Sequence, residues 1–392
     1  MFPERFSNLP EYAFPRLRSL LDVHEPGGDR IEMTIGEPRH AFPDWIGEVL
    51  AESWRDMGRY PPNDGTAGMR GAFAGFLSRR YGVEVDPDTR LLPLNGTREG
   101  LFNTLLALCP ETKNGQRPAV LMPNPFYQVY AVATLTVAAE PVFVPAEAET
   151  GFLPDYAGLD PALLDRTAVI YVCSPSNPQG AVASRAYWAE LLRLAEKHDF
   201  RIFADECYSE IYRDAPPPGV LEALAETGAD PERVVAFHSL SKRSNLPGIR
   251  SGFAVAGPRS MTAMKRLRAY GGAPLPLPLQ HVAEKVWQDE EHVEASRALY
   301  QQKYRLADDI LGDVPGYHPP EAGFFLWLPV EDGEAAALKL WQQTGVRVLP
   351  GAYLGREVDG HNPGAGYIRV ALVVDQDEMQ RGLTSLRDCL YG

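Results

Sequence analysis

The chain has 392 residues, more than one ordinary core encloses, so two domains are expected. Hydrophobic residues at 45% and charged residues at 23% fit a soluble globular protein. With 38 Lys and Arg against 52 Asp and Glu, the net charge of −14 argues against a nucleic-acid or membrane partner. The opening "MFPERFSNLPEYAFPRL" has early acid, prolines and no apolar h-region, so it does not read as a signal peptide. No apolar run approaches the roughly 18 residues of a membrane helix. Cys109, Cys173, Cys207 and Cys389 lie far apart and without zinc-like spacing. They read as reduced thiols, which points to the cytoplasm and to no metal site.

In chain order, residues 1–40 are Pro-rich and read as an arm that contributes to a smaller domain. Its stretch "YAFPRLRSLL" (12–21) is apolar enough to pack on a neighbour. Residues 41–280 read as a large domain. Short apolar runs recur there, bounded by Pro, Gly or Asp: "RLLPL" (90–94), "AVLMP" (119–123), "PVFVP" (141–145), "AVIYVC" (168–173), "RIFAD" (201–205), "RVVAFH" (233–238) and "SGFAVA" (251–256). Helical spacing separates several of them. Residues 97–109 align Leu101, Leu105 and Leu108, and residues 185–198 align Leu191, Leu194 and Ala195. Buried strands alternating with helices specify an α/β domain with a mainly parallel sheet. "GGAPLPLPLQ" (271–280) breaks the pattern. Residues 281–392 then read as a smaller α+β domain. It has one helical stretch over 281–311, judged by its lack of Pro and Gly, strands at 324–330 and 367–373, and a helix near 334–344.

The stretch "HSLSKRSNLPGIRSGF" (238–253) sets Lys242 among small residues and hydroxyls, with Arg243 and Arg250 behind it. A lysine that is partly desolvated and flanked by positive charge becomes a nucleophile. In a large α/β enzyme its commonest use is a covalent link to pyridoxal phosphate. That group needs an acid at its pyridine nitrogen, donors at its phenolate oxygen and an aromatic cover. Its phosphate needs hydroxyls, an arginine and a helix N-terminus, and the substrate carboxylate needs an arginine fork. Candidates stand at strand ends or just after, where ligands bind in open α/β sheets. Asp205 and Tyr208 lie in "FADECY", Asn177 in "CSPSNPQG", Gly96, Thr97 and Arg98 in "NGTREG", and Tyr127 in "NPFYQVY".

These motifs, in this order, resemble the fold-type I, class I/II pyridoxal-phosphate aminotransferases over nearly the whole chain. The resemblance implies a fold-type I transferase, a large mainly parallel-sheet domain plus a smaller α+β C-terminal one. It implies pyridoxal 5′-phosphate as cofactor and amino acids and oxo acids as substrates. By the same resemblance Lys242 in "SLSK" is the covalent cofactor lysine and proton carrier, and Asp205 is the pyridinium partner. Asn177 and Tyr208 donate to the phenolate oxygen. Ser239, Arg250, Gly96 and the amides of Thr97 and Arg98 hold the phosphate, and Tyr127 stacks on the ring. Arg369 in "YIRVAL" and Gly36 in "IGEP" meet the substrate α-carboxylate. Tyr60 in "RYPPNDGT" reaches the phosphate of a neighbouring subunit, so a homodimer with shared sites is implied. Cys207 falls beneath the ring and is given a packing role only.

Local wording narrows the resemblance. "SLSKRSNLPGIRSGF", "VRVLPGAYLGRE" (346–357) and "GHNPGAGYIRVALV" (360–373) are similar to the N-succinyldiaminopimelate aminotransferases of lysine biosynthesis. Gly355 departs from an expected Ala. The implied acceptor is anionic at both ends, so a second cation is expected near the entrance, from Arg16 and Arg18 of the arm or from a partner chain.

Taken singly, Asp205 reads as a strand-end cap, Asn177 before Pro178 as a turn residue and Tyr127 as a core aromatic. Ser239-Leu-Ser-Lys242 also fits the S-x-x-K of serine acyl-enzymes, but the K-T-G which that chemistry needs is absent from the sequence. Neither a Walker A nor a strand-linked G-x-G-x-x-G motif is present.

Overall fold

The computed structural model describes residues 4–7, 9 and 11–392. Residues 1–3, 8 and 10 of the expected arm lie outside the described residues. The strands, in chain order, are β1 (Ile31–Glu32), β2 (Leu91–Leu94), β3 (Ala119–Asn124), β4 (Glu140–Pro145), β5 (Thr167–Cys173), β6 (Arg201–Asp205), β7 (Val234–Ser239), β8 (Gly252–Ala256), β9 (Phe325–Pro329), β10 (Val346–Arg347), β11 (Leu349–Pro350) and β12 (Tyr367–Ala371).

Seven of them form one sheet in the order β2-β8-β7-β6-β5-β3-β4. Only β8 runs antiparallel to its neighbours. The sheet is covered on both faces, which explains its unbroken apolar strands. Along β5, Ile170 and Val172 point into one core, and Val169 and Tyr171 into the other. The first core is closed by helices Ala67–Tyr81, Arg185–His198 and Leu277–Gln288. The second is closed by Thr97–Leu108, Gln128–Thr136 and Pro258–Gly271. Truncating a side chain as buried as Trp188 or Phe203 should cost about 3–5 kcal/mol.

Helix boundaries follow local chemistry. Arg185–His198 starts where the Ser184 side chain accepts the Tyr187 N–H, and ends at Asp199 in the left-handed region.

β9, β11 and β12 form a separate antiparallel sheet, ordered β11-β12-β9. Its core takes Tyr304, Leu326, Leu340, Ile368 and Leu383, together with Ile31 and Met33 from the arm. β1 pairs in parallel with β10. The arm's stretch 12–21 contains the helix Ala13–Leu21, whose Leu17 and Leu21 pack against Trp341, Leu349 and Tyr353.

One expectation is corrected. The helical stretch expected over 281–311 is two helices, Leu277–Gln288 and Glu291–Leu311. Between them Asp289 accepts the Glu291 N–H at 3.2 Å and pairs with the His292 ring at 2.6 Å. A polar cap makes the break, so the absence of Pro and Gly was no guide. The first helix sends Val282, Ala283, Val286 and Trp287 into the large-domain core. The second helix sends Tyr300, Tyr304, Ala307 and Leu311 into the core under the smaller sheet. Among the described residues no helix is long and apolar enough to cross a membrane.

Candidate active site

The C-terminal ends of the parallel strands open onto a cavity of about 370 Å3. β7 ends at Ser239, whose hydroxyl accepts the Ser241 N–H at 3.1 Å and starts the short helix Leu240–Arg243. That turn puts Lys242 into the cavity. Its amine donates to the Gly36 carbonyl and lies 5.3 Å from the Phe324 ring centre. Burial brings the Lys242 amine down to about 8 from its ordinary 10.5. The positive charges of Arg369 and Arg250 push the same way, and Cys207 and Glu37 oppose. Neighbouring Arg243 is buried and turned away. It donates to the carbonyls of Val286 and Asp289, pairs with Glu290 at 2.8 Å and lies over the rings of Phe76 and Trp287.

β6 ends at Asp205, which is 5% exposed. Its Oδ2 accepts the Tyr130 hydroxyl at 2.7 Å, and its Oδ1 has no partner. Burial raises its carboxyl, while the nearby Cys207 and the Tyr130 hydroxyl hold it down. Arg369 on β12 is also buried. Its Nη1 donates to Asn177 Oδ1 at 2.9 Å and its Nη2 to the Thr34 carbonyl at 2.8 Å, while Nε is unpartnered.

The helix Thr97–Leu108 aims its N-terminus at the same space. Gly96 precedes it at φ +81, and a Cβ there would lie 2.2 Å from Arg250 Nη2, so only glycine lets the arginine approach. Arg250, itself left-handed at φ 58, donates to the carbonyls of Pro247 and Asn95. Arg98 donates from Nε to the Tyr127 hydroxyl at 2.8 Å.

Of the expected residues, Lys242, Asp205, Tyr208, Asn177, Ser239, Arg250, Thr97, Arg98, Tyr127, Arg369 and Gly36 line this one cavity, and Gly96 lies against Arg250 of that lining. Tyr60 does not line it and is fully exposed. Two expectations change. Arg16 pairs with Glu334 and lies 4.0 Å from the Tyr353 ring centre, and Arg18 is exposed, so neither lines the cavity. The arm instead contributes Tyr12, Ala13 and Phe14. The Cys207 sulfur lies 3.0 Å from the Thr97 hydroxyl and lines the cavity, so besides packing it faces the site. Sequence reasoning missed Tyr130 and Glu37. The Tyr130 phenol sits in the apolar run "VYAVATL", whose only signal was its place three residues after Tyr127.

The comparisons agree with this geometry. The family model for aminotransferase class I and II matches residues 28–386. The chain belongs to that family. An aminotransferase of Neisseria meningitidis Z2491 superposes with a TM-score of 0.94 at 37% identity, covering 99% of each chain. The LL-diaminopimelate aminotransferase of Desulforudis audaxviator (strain MP104C) is 32% identical over 397 residues, 99% of this chain and 97% of that one. A probable N-succinyldiaminopimelate aminotransferase of Thermus thermophilus is similar at TM-score 0.83 and 27% identity, covering 96% of this chain and 98% of that one.

Class I and II aminotransferases use pyridoxal 5′-phosphate, and the cavity fits that group. Its wall holds a lysine of lowered proton affinity, a buried carboxylate oxygen without a partner and an open helix N-terminus beside an arginine. An aromatic ring, Tyr127, lies alongside. The chain is a pyridoxal-phosphate aminotransferase with the fold-type I architecture.

Proposed function

We propose that this enzyme moves an amino group between glutamate/2-oxoglutarate and N-succinyl-2-amino-6-oxopimelate, as a cytoplasmic homodimer with shared sites. The observation that carries this reading is that, besides Arg250, which the cofactor phosphate would take, two more guanidinium groups line the cavity. Arg369 is buried and Arg98 is exposed. A substrate with carboxylates at both ends matches two separated cations. Tyr12, Phe14, Ile35 and Leu354 supply the apolar lining that a methylene chain needs.

In this reading Lys242 holds the cofactor covalently, Asp205 stands at its pyridine nitrogen, and Asn177 and Tyr208 stand at its phenolate oxygen. Ser239, Arg250 and the amides of the Gly96–Arg98 turn hold its phosphate, and Tyr127 covers its ring. When bound, pyridoxal phosphate supplies the electron sink that lets a Cα–H bond break. Arg369 and the Gly36 amide fix the α-carboxylate, which sets the direction of that bond. The Lys242 amine, neutral above about pH 8, takes and returns the proton at the substrate's Cα.

A partner chain is supported by Trp54, Met57 and Tyr60, which lie exposed on one segment. In the dimer Tyr60 reaches the other subunit's phosphate.

A second reading has free LL-diaminopimelate as the amino donor. The name of the Desulforudis relative favours it, and so does Glu37, a carboxylate on the cavity wall that would face a distal ammonium. One experiment separates them. The enzyme is converted with glutamate while the cofactor absorbance is followed, then offered single oxo acids. Recovery of the original band with the succinylated acceptor supports the first reading. Recovery only with oxaloacetate or an aromatic oxo acid would overturn both. Direct conversion by LL-diaminopimelate in place of glutamate, without response to the succinylated acceptor, selects the second.

A further inference from the structure

One buried side chain holds a loop at the cavity mouth. Asn124 ends β3 in the large domain and is 1% exposed. Its Nδ2 donates to the Arg356 carbonyl at 2.8 Å, and its Oδ1 accepts the Arg356 N–H at 2.9 Å. Arg356 belongs to the loop that follows the turn Gly351–Tyr353, which packs with the smaller domain and the arm. Two residues away on each side, the Phe126 N–H donates to the Leu354 carbonyl at 3.0 Å. Phe126 and Leu354 both line the cavity.

Gly355 sits between these contacts. A Cβ there would lie 2.3 Å from Asn362 Oδ1 and 3.3 Å from Asn124 Oδ1. Asn362 cannot easily yield, because its Nδ2 donates to the Ala352 carbonyl at 3.1 Å and its Oδ1 accepts the Gly364 N–H at 3.0 Å. The glycine that replaces an expected alanine thus has a physical reason. Alanine would press on the two amides that hold the loop.

We propose that Asn124 and Gly355 form a clasp that fixes Leu354 as a wall of the substrate cavity, and so sets how long a substrate side chain the enzyme accepts. Asn124 is a positioning residue, since it acts through Arg356 and Leu354. It reproduces the two-bond pattern of a strand pair, which fixes both distance and direction. Losing it leaves a buried N–H and C=O without partners. Its side-chain hydrogen bonds go to Arg356 alone, so the clasp acts through the loop that carries Leu354, which the proposal sets against the far end of a substrate. The inference rests on the aminotransferase assignment but not on which acceptor is natural.

The test uses holoenzyme and the amino-donor half-reaction, followed by cofactor absorbance in a stopped flow. The substrates are glutamate, 2-aminoadipate and 2-aminopimelate, which differ only by methylenes. For Asn124→Ala the apparent affinity for 2-aminopimelate falls about tenfold and that for glutamate changes less than about twofold. The saturating rate with glutamate stays at the wild-type level. Asn124→Asp keeps the acceptor and loses the donor, so it falls between. Gly355→Ala displaces the same loop from the other side and reproduces Asn124→Ala. It carries the test alone if Asn124→Ala does not fold. Equal losses on all three substrates overturn the proposal, as does a Gly355→Ala enzyme with the wild-type ratio. The series omits the succinylated acceptor, so failure of that reading leaves this result intact.

Discussion

Arg369 Nη1 and Asn177 Oδ1 lie 2.9 Å apart, which ties the smaller domain's β12 to the loop after β5 of the large sheet. The residue proposed for the substrate and the one proposed for the cofactor already share a hydrogen bond. The guanidinium is spread over Asn177 and the Thr34 carbonyl, and lies 4.2 Å from the Phe325 ring centre.

A point charge cannot make that pattern. Arg369→Lys should raise KM for every amino-acid substrate by about 10- to 100-fold, with a smaller effect on kcat. Steady-state kinetics on glutamate check this, and an unchanged KM would remove Arg369 from the carboxylate site.

Tyr130 gives Asp205 its one side-chain hydrogen bond from a phenol. The bond favours the ionised carboxylate against burial, which pushes the other way. Tyr130→Phe should weaken cofactor binding about 5- to 10-fold, since a neutral acid pairs poorly with a pyridinium. Fluorescence titration of the apoenzyme reads this directly. Equal affinities would make the phenol structural only.

Burial brings the Lys242 amine to about 8, and only the neutral amine attacks an aldehyde. Covalent capture of pyridoxal phosphate by apoenzyme should therefore accelerate about tenfold per pH unit up to about 8, then level. A rate still climbing through pH 10 would mean an ordinary, solvated lysine. Lys242→Ala should bind the cofactor without a borohydride-trapped peptide and lose nearly all turnover.

Glu206 follows Asp205 but faces the opposite side of the sheet. It is 2% exposed, and its Oε1 accepts the Val220 N–H at 2.8 Å. Burial raises its carboxyl to about 7 from an ordinary 4.5, against the pull of the Val220 N–H, the nearby Tyr81 phenol and Arg80. Nearby His238 is pushed down to about 3 and stays neutral at these pH values. The folded protein thus keeps a proton that the unfolded chain releases. The stability this gives is complete below about pH 4.5 and is lost as pH rises to about 7, on the order of 3 kcal/mol. Glu206→Gln should flatten Tm between pH 5 and 7.5. A variant whose Tm falls as steeply as the wild type across that range would contradict this.

Much of the architecture is legible as short apolar runs between Pro, Gly and Asp. Burial on both faces of a strand such as Thr167–Cys173 leaves that mark in any parallel sheet. The pairing of β2 with β8 is not legible, because strand order is decided by packing between residues about 160 positions apart. The cavity was readable where its groups follow strand ends, as Asp205, Asn177 and Ser239 do. It was unreadable where a polar tip hides on a core-facing helix, as at Tyr130. Arg16 misled because sequence cannot show that Glu334 already engages it. Asp289 misled because a cap looks like any polar residue within a helix.

Arg243 gives the adjoining lysine a stationary mount. Its guanidinium bolts the turn beneath Lys242 to the end of Leu277–Gln288, on carbonyls that the helix terminus would otherwise leave open. The main chain beneath the Lys242 amine is thereby tied to that helix end. Under the proposed role, travel between cofactor and substrate would fall to the four flexible carbons of one side chain, and loosening the bolt would blur the aim of the amine without touching any atom that reacts.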